Sequence, residues 1–194
     1  MADPHAPPAL QVTDLLERLA QFQRAYQQGD GLNPAQWTAL RFFARANRYS
    51  RSATALTAFL GSTKGTVSQT LNALERKRLI VRRPDPRDGR AAKVELTDAG
   101  RAQLEQDPLN GLDAAVAELM PAAQRELLDH LTRLLATLQK LNDRRAFGIC
   151  QTCRFFRRND AVGEDGGPHR CGLTLEPLAD SDIDLICAEH QRAA

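Results

Sequence analysis

The chain has 194 residues, 42% of them hydrophobic and 26% charged, a balance that supports one sizeable core with a small appended module and excludes a disordered chain. No stretch approaches the roughly 18 consecutive apolar residues of a membrane span, and residues 1–8 lack the basic start and apolar run of a secretory signal, so the expected location is the cytoplasm, with no membrane partner. The net charge is only +2, yet residues 76–93 hold eight basic side chains against two acidic ones, Asp85 and Asp88, a local excess that phosphates would feel.

Beyond a proline-rich start, residues 10–28 place Leu15, Leu16, Leu19, Phe22 and Tyr26 at helical spacing and predict an amphipathic first helix. Asn33 is placed to cap a second helix, with Pro34 at its first position and Trp37, Leu40, Phe42 and Phe43 available to the core. Residues 52–60 predict a short helix stopped by Gly61. Ser62 is expected to cap the next, over residues 63–78, with Val67, Leu71 and Leu74 on one face. Two short helices with a glycine at the turn between them have the sequence form of a helix-turn-helix. A hairpin follows, in which residues 79–83 and 92–96 flank a loop over 84–90 that holds two prolines and Asp88-Gly89. Thr97 is expected to cap a further helix, and beyond Asp107-Pro108 a helical hairpin runs to about residue 145. Its last arm carries Leu127, Leu128, Leu131, Leu134, Leu135, Leu138 and Leu141. This stripe suits a dimer seam with the first helix, an intrachain bundle being the alternative. His130 on this arm reads as a surface or seam residue.

This order of elements resembles the MarR family of winged-helix transcriptional regulators over residues 10–145. The most specific part is the wing, Asp85-x-Arg87-Asp88-x-Arg90, followed by Leu96-Thr97-x-x-Gly100. The resemblance implies that the helix over 63–78 enters a major groove and that Arg87 and Arg90 reach the adjacent minor groove, with Asp85 and Asp88 shaping the loop. The residues agree: Ser62, Thr63, Lys64, Thr66, Ser68, Gln69, Thr70 and Asn72 give that helix a short, hydrogen-bonding outer face suited to phosphates and base edges. An arginine at a hairpin tip suits the negative potential of a narrow minor groove. The expected partners are double-stranded DNA carrying a palindromic operator and a second copy of the chain, because two recognition helices must meet half-sites one helical turn apart.

All four cysteines lie in the last quarter, as Cys150-x2-Cys153-x17-Cys171-x15-Cys187, with His169 and His190 beside them. A segment of this size cannot build a stable core alone, and a metal is the natural staple. Zinc fits Cys150-x2-Cys153 combined with Cys187-x2-His190, with His169 a weaker alternative ligand. An iron-sulfur cluster, a 4Fe-4S cubane being favoured, uses all four thiols as metal ligands. A metal-free thiol or disulfide switch is the third possibility. The spacing, the pair Phe155-Phe156 after the second cysteine and Gly172-Leu173 after the third resemble the cluster-binding segment of high-potential iron-sulfur proteins, with Ile186 where those proteins commonly carry an aromatic residue. Phe147, Ile149, Phe155, Phe156, Leu173, Leu175, Leu178, Ile183 and Ile186 are expected to shield such a centre.

The expected fold is mainly α with a small β-hairpin wing. Residues 1–30 form an arm and dimerisation helix, 31–105 the winged helix-turn-helix, 106–146 the C-terminal dimerisation helices and 147–194 the cysteine module. The expected function is a DNA-binding regulator, a repressor, whose affinity is set by the cluster in response to redox state or iron-sulfur supply. Because the module directly follows the long helix, that seam is its expected route to the DNA. Two alternatives remain: a regulator that senses a small organic ligand and carries a structural zinc, and an electron-transfer domain on a vestigial winged helix. No nucleophile-base pair or phosphate-binding glycine loop is present at motif spacing, so no enzyme is expected.

Overall fold

The structure, a computed structural model, describes residues 6–26, 31–85, 88–161 and 165–193, without the side chains of Tyr26 and of residues 88–91. Seven helices are described: α1 (Pro8–Tyr26), α2 (Pro34–Arg45), α3 (Ala53–Leu60), α4 (Lys64–Arg76), α5 (Asp98–Glu105), α6 (Asn110–Ala117) and α7 (Pro121–Leu141). Strands β1 (Ile80–Asp85) and β2 (Asp88–Leu96) pair antiparallel as the wing. Further on, β3 (Phe156–Arg157), β4 (His169–Cys171) and β5 (Pro177–Leu178) form a second small sheet in the order β3-β4-β5.

Local chemistry sets the boundaries. The Asn33 side chain accepts from the Gln36 backbone N–H while the Gln36 side chain accepts from that of Asn33, a reciprocal cap that starts α2 with Pro34 in its first turn. Ser52 caps α3, and Gly61 closes it in the left-handed conformation at φ 59°. The cap of α4 is Thr63 rather than the expected Ser62: its hydroxyl accepts from the Thr66 N–H, and α4 ends at Arg76, short of residue 78. Arg78 then turns the chain at φ 58°. Thr97 caps α5, its N–H donating to the Leu79 carbonyl and its hydroxyl to that of Arg78. Gly100 sits so close to the Leu79 carbonyl oxygen that a Cβ there would overlap it, which gives the glycine of Leu96-Thr97-x-x-Gly100 its physical reason.

The main core lies between α2, α3, α4 and the wing base. Trp37, Leu40, Phe42, Leu56, Val67, Leu71, Leu74, Ile80 and Val94 are buried in it. The cysteine module is continuous with this core. Ile186 and Ala188 are buried members, and Phe147 packs edge-on against Phe42 and Phe59. A second cluster, Cys150, Leu178 and Ile183, packs against Tyr49, Phe156 and Cys171. Phe147 and Ile186 thus serve the winged-helix core, while Leu175, 68% exposed, shields nothing.

The long arms are different. No residue of α7 is buried, and Leu128, Leu131, Leu134, Leu135 and Leu138 are all exposed, as are Leu15, Leu19 and Phe22 on α1. The helix ends at Leu141 rather than near 145, where the Asn142 side chain donates to the Leu138 carbonyl. His130 lies exposed on it.

Candidate functional site

The candidate nucleic-acid face is the outer side of α4 with the wing. Thr63, Lys64, Thr66, Ser68, Gln69 and Asn72 are exposed there, and Ser62 is partly so. Thr70 is not on this face. It is 8% exposed and its hydroxyl donates to the Thr66 carbonyl, because position 70 falls on the buried side with Val67, Leu71 and Leu74. Thr63 and Thr66 share a 2.9 Å hydroxyl bond at the helix start. Arg82, which the sequence marks only as one of a basic run, joins the two parts of this face. From β1 it donates to Asn72 Oδ1 at 2.7 Å and pairs with Glu75 at 3.7 Å.

In the wing, Asp85 pairs with Lys93 at 3.8 Å, and the register shifts between Pro84 and Asp85. The strands run further toward the tip than the expected 79–83 and 92–96, since Pro84 pairs with Ala92 and Asp85 with Asp88. Arg87 lies outside the described residues, as do the side chains of Asp88 and Arg90.

The second site is a cavity whose wall holds all four cysteines, Cys150, Cys153, Cys171 and Cys187. A single helical turn, Cys150–Thr152, carries the first pair, with the Cys153 N–H donating to the Cys150 carbonyl at 2.9 Å. Cys171 ends β4 opposite Phe156. Cys187 is held by a 2.8 Å bond from its own N–H to the Gly148 carbonyl. Phe155, Phe156, Tyr49, Leu173 and Leu178 supply apolar wall, and Asn47 and Glu189 polar wall. Each cysteine is a free thiol.

Burial, reinforced by the other three thiols, pushes the Cys150 thiol up to about 12. Burial also raises Cys187, opposed by the neighbouring Asn47 side chain and Glu189 backbone. Crowded thiols in an apolar wall resist ionising one beside another, and a bound cation reverses that preference by stabilising the thiolates. Among the described residues no three His, Cys, Asp or Glu side chains gather closely enough for one metal ion.

Neither histidine lines this cavity. His169 is buried, with Nδ1 accepting from the Asn159 N–H at 3.1 Å and Nε2 3.0 Å from Asp180 Oδ1. Both nitrogens are engaged in bracing β4. His190 lies flat against Gly148, too close for a Cβ there, with Nε2 3.0 Å from the Thr152 hydroxyl. Burial lowers its pKa.

A sequence model of the MarR family matches residues 30–91, a span that ends well before the first cysteine. The chain is 28% identical over 129 residues to the HTH-type transcriptional repressor YetL of Bacillus subtilis (strain 168), covering 66% of this chain and 77% of that one. Among solved structures, the S. aureus MepR-DNA complex aligns with a TM-score of 0.54 at 22% identity, covering 70% of this chain and 100% of MepR. Wild type MarR (apo form) from E. coli aligns at 0.51 and 21%, covering 67% and 98%. These likenesses show the fold, and each leaves about three tenths of this chain unmatched. Residues 30–91 match the model of the MarR family, and the chain has the winged helix-turn-helix fold of these structures.

Proposed function

We propose that the protein is a DNA-binding transcriptional regulator, a repressor, in which Cys150, Cys153, Cys171 and Cys187 hold an iron-sulfur cluster that sets DNA affinity. The carrying observation is that four thiols, spread over residues 150–187, line one largely apolar cavity built onto the winged helix. Four thiolates are what a cubane takes. A Cys3His zinc site would need His190 beside the thiols, and His190 does not line this cavity. Apolar walls that limit solvent access suit a cluster, whose potential depends on burial and on hydrogen bonds to its sulfurs. When bound, the cluster supplies a one-electron redox centre that is gained and lost with iron supply.

In this reading α4 lies in the major groove with Lys64, Ser68 and Gln69 toward the DNA, and the wing lies against the minor groove. That YetL is a repressor and that MepR forms a DNA complex support the assignment. The exposed leucines of α7 and apolar residues of α1 support a homodimer, since a stripe of that extent is stable once a second copy covers it.

Anaerobic purification followed by iron, sulfide and zinc analysis tests the reading. Coloured protein with iron and acid-labile sulfide, lost in each of Cys150→Ser, Cys153→Ser, Cys171→Ser and Cys187→Ser, is expected. Colourless protein with one zinc per chain, retained in Cys171→Ser, would replace the cluster by a Cys3His site. One observation favours a second, compatible reading: an apolar cavity between α1 and the start of α6, lined by Leu19, Phe22, Leu109 and Leu112, suits a small organic ligand.

A further inference from the structure

One wall of the cysteine cavity belongs to the winged helix, to the turn between α2 and α3. Asn47 in that turn is 1% exposed and lines the cavity. Its Oδ1 accepts twice, from the Ser50 hydroxyl at 2.8 Å and from the Tyr49 N–H at 3.1 Å. These two bonds fix which end of the amide is oxygen. The other end, Nδ2, is buried with no hydrogen-bond partner, and Asn47 and Cys187 line the same cavity. A neutral thiol is a weak acceptor. A metal-bound thiolate carries charge and is a stronger acceptor.

The same turn is stitched to the chain on both sides of Cys187. Ile186 donates its N–H to the Arg45 carbonyl at 2.6 Å and accepts from the Asn47 N–H at 2.9 Å, and the Ala188 N–H donates to the Ser50 hydroxyl at 2.7 Å. A few residues on, the Arg51 carbonyl accepts from the Val94 N–H of β2 at 2.8 Å, Ser52 bridges to Lys93 of the same strand, and Ser52 caps α3. The first helix of the helix-turn-helix begins where this turn ends, and β2 of the wing is bonded to it.

We propose that Asn47 is the positioning residue that couples the cysteine cavity to the DNA-reading lobe: its Nδ2–H bonds the Cys187 sulfur when that sulfur ligates the cluster, and the turn over residues 46–52 passes the change to α3 and β2. The donor is satisfied in the loaded state and unsatisfied in the empty one, which is the differential interaction that a switch requires. The route runs through the α2–α3 turn rather than through the α7 seam that the chain order suggests. The inference rests on the proposed cluster.

The test uses the full chain, prepared anaerobically, and a DNA duplex that the unmodified protein has itself selected from a random pool. Asn47→Asp keeps the Oδ1 acceptor and removes the donor. It should bind the same iron and sulfide, shift the cluster to a more negative reduction potential, and bring the ratio of loaded to stripped DNA affinity from about 5- to 150-fold down to within about twofold. Ser50→Ala frees Ala188 from the turn and removes one of the two bonds that orient the Asn47 amide, while keeping the amide donor itself. It should cut the same ratio with a smaller shift of the potential than Asn47→Asp, and it decides the question if Asn47→Asp fails to fold or to load. Either variant, loaded with iron, keeping the full ratio overturns the route and leaves the cluster reading intact. An unmodified chain without iron and sulfide overturns both.

Discussion

Gly100 shows how a residue's role becomes physical only in the fold. The Leu79 carbonyl oxygen occupies the space a side chain at position 100 would need, so Gly100→Ala must push α5 off the wing base. We predict a loss of about 1 to 3 kcal/mol, read as a lower urea midpoint at unchanged slope; an unchanged midpoint would mean that the contact yields freely. Cys150 carries a pH prediction for metal-free protein. Its thiol stays neutral when folded up to about 12, chiefly through burial, whereas an unfolded cysteine ionises near ~8.5. Its contribution to stability is therefore complete below the unfolded value and is lost as pH rises through the folded one. The Tm of metal-free protein should fall from about pH 8 to about pH 10 more steeply than that of Cys150→Ser, and equal slopes would contradict the burial argument. The thiols as a candidate set were legible from spacing alone. Asn47 was not: nothing local distinguishes it, since its partners Tyr49 and Ser50 matter only once Cys187 folds back beside them. Thr70 was misplaced because its polarity suggested an outer position, although its spacing from Val67, Leu71 and Leu74 set it on the core face.

At the scale of elements, the helices and the wing followed from caps, breakers and apolar periodicity, with errors confined to ends. Thr63 displaced Ser62 as the cap of α4. The wing strands absorbed Pro84 and Asp85 because a hairpin edge tolerates a proline and a register shift. What the sequence hid was the docking of the module: backbone bonds such as Ile186 to Arg45 and Asn47 to Ile186 leave no side-chain pattern. The three-strand sheet of β3, β4 and β5 was equally hidden, its strands being only two or three residues long. The wing itself yields a prediction. Arg90→Ala should weaken DNA binding by about 1 to 3 kcal/mol and flatten its dependence on salt by the contact removed, measured by anisotropy at two salt concentrations. Equal affinity at both would take Arg90 out of the interface.

For the molecule as a whole, two exposed apolar arms and one buried cysteine cavity divide the labour. In the proposed function the arms hold two copies together, and the cavity sits against the lobe proposed to read DNA. Leu134→Asp places a charge in the proposed seam, where an unpaired buried carboxylate is strongly unfavourable; light scattering at low micromolar concentration should show dimer mass falling toward the monomer, and an unchanged dimer would put the seam elsewhere. The central claim is that the occupant of the cavity governs DNA binding, and its direct test is an anaerobic DNA titration of cluster-loaded and cluster-stripped protein, both verified as folded dimers. We predict affinities that differ by about 5- to 150-fold. Superimposable titrations from protein with full and with no iron would reduce the cysteine module to a structural appendage.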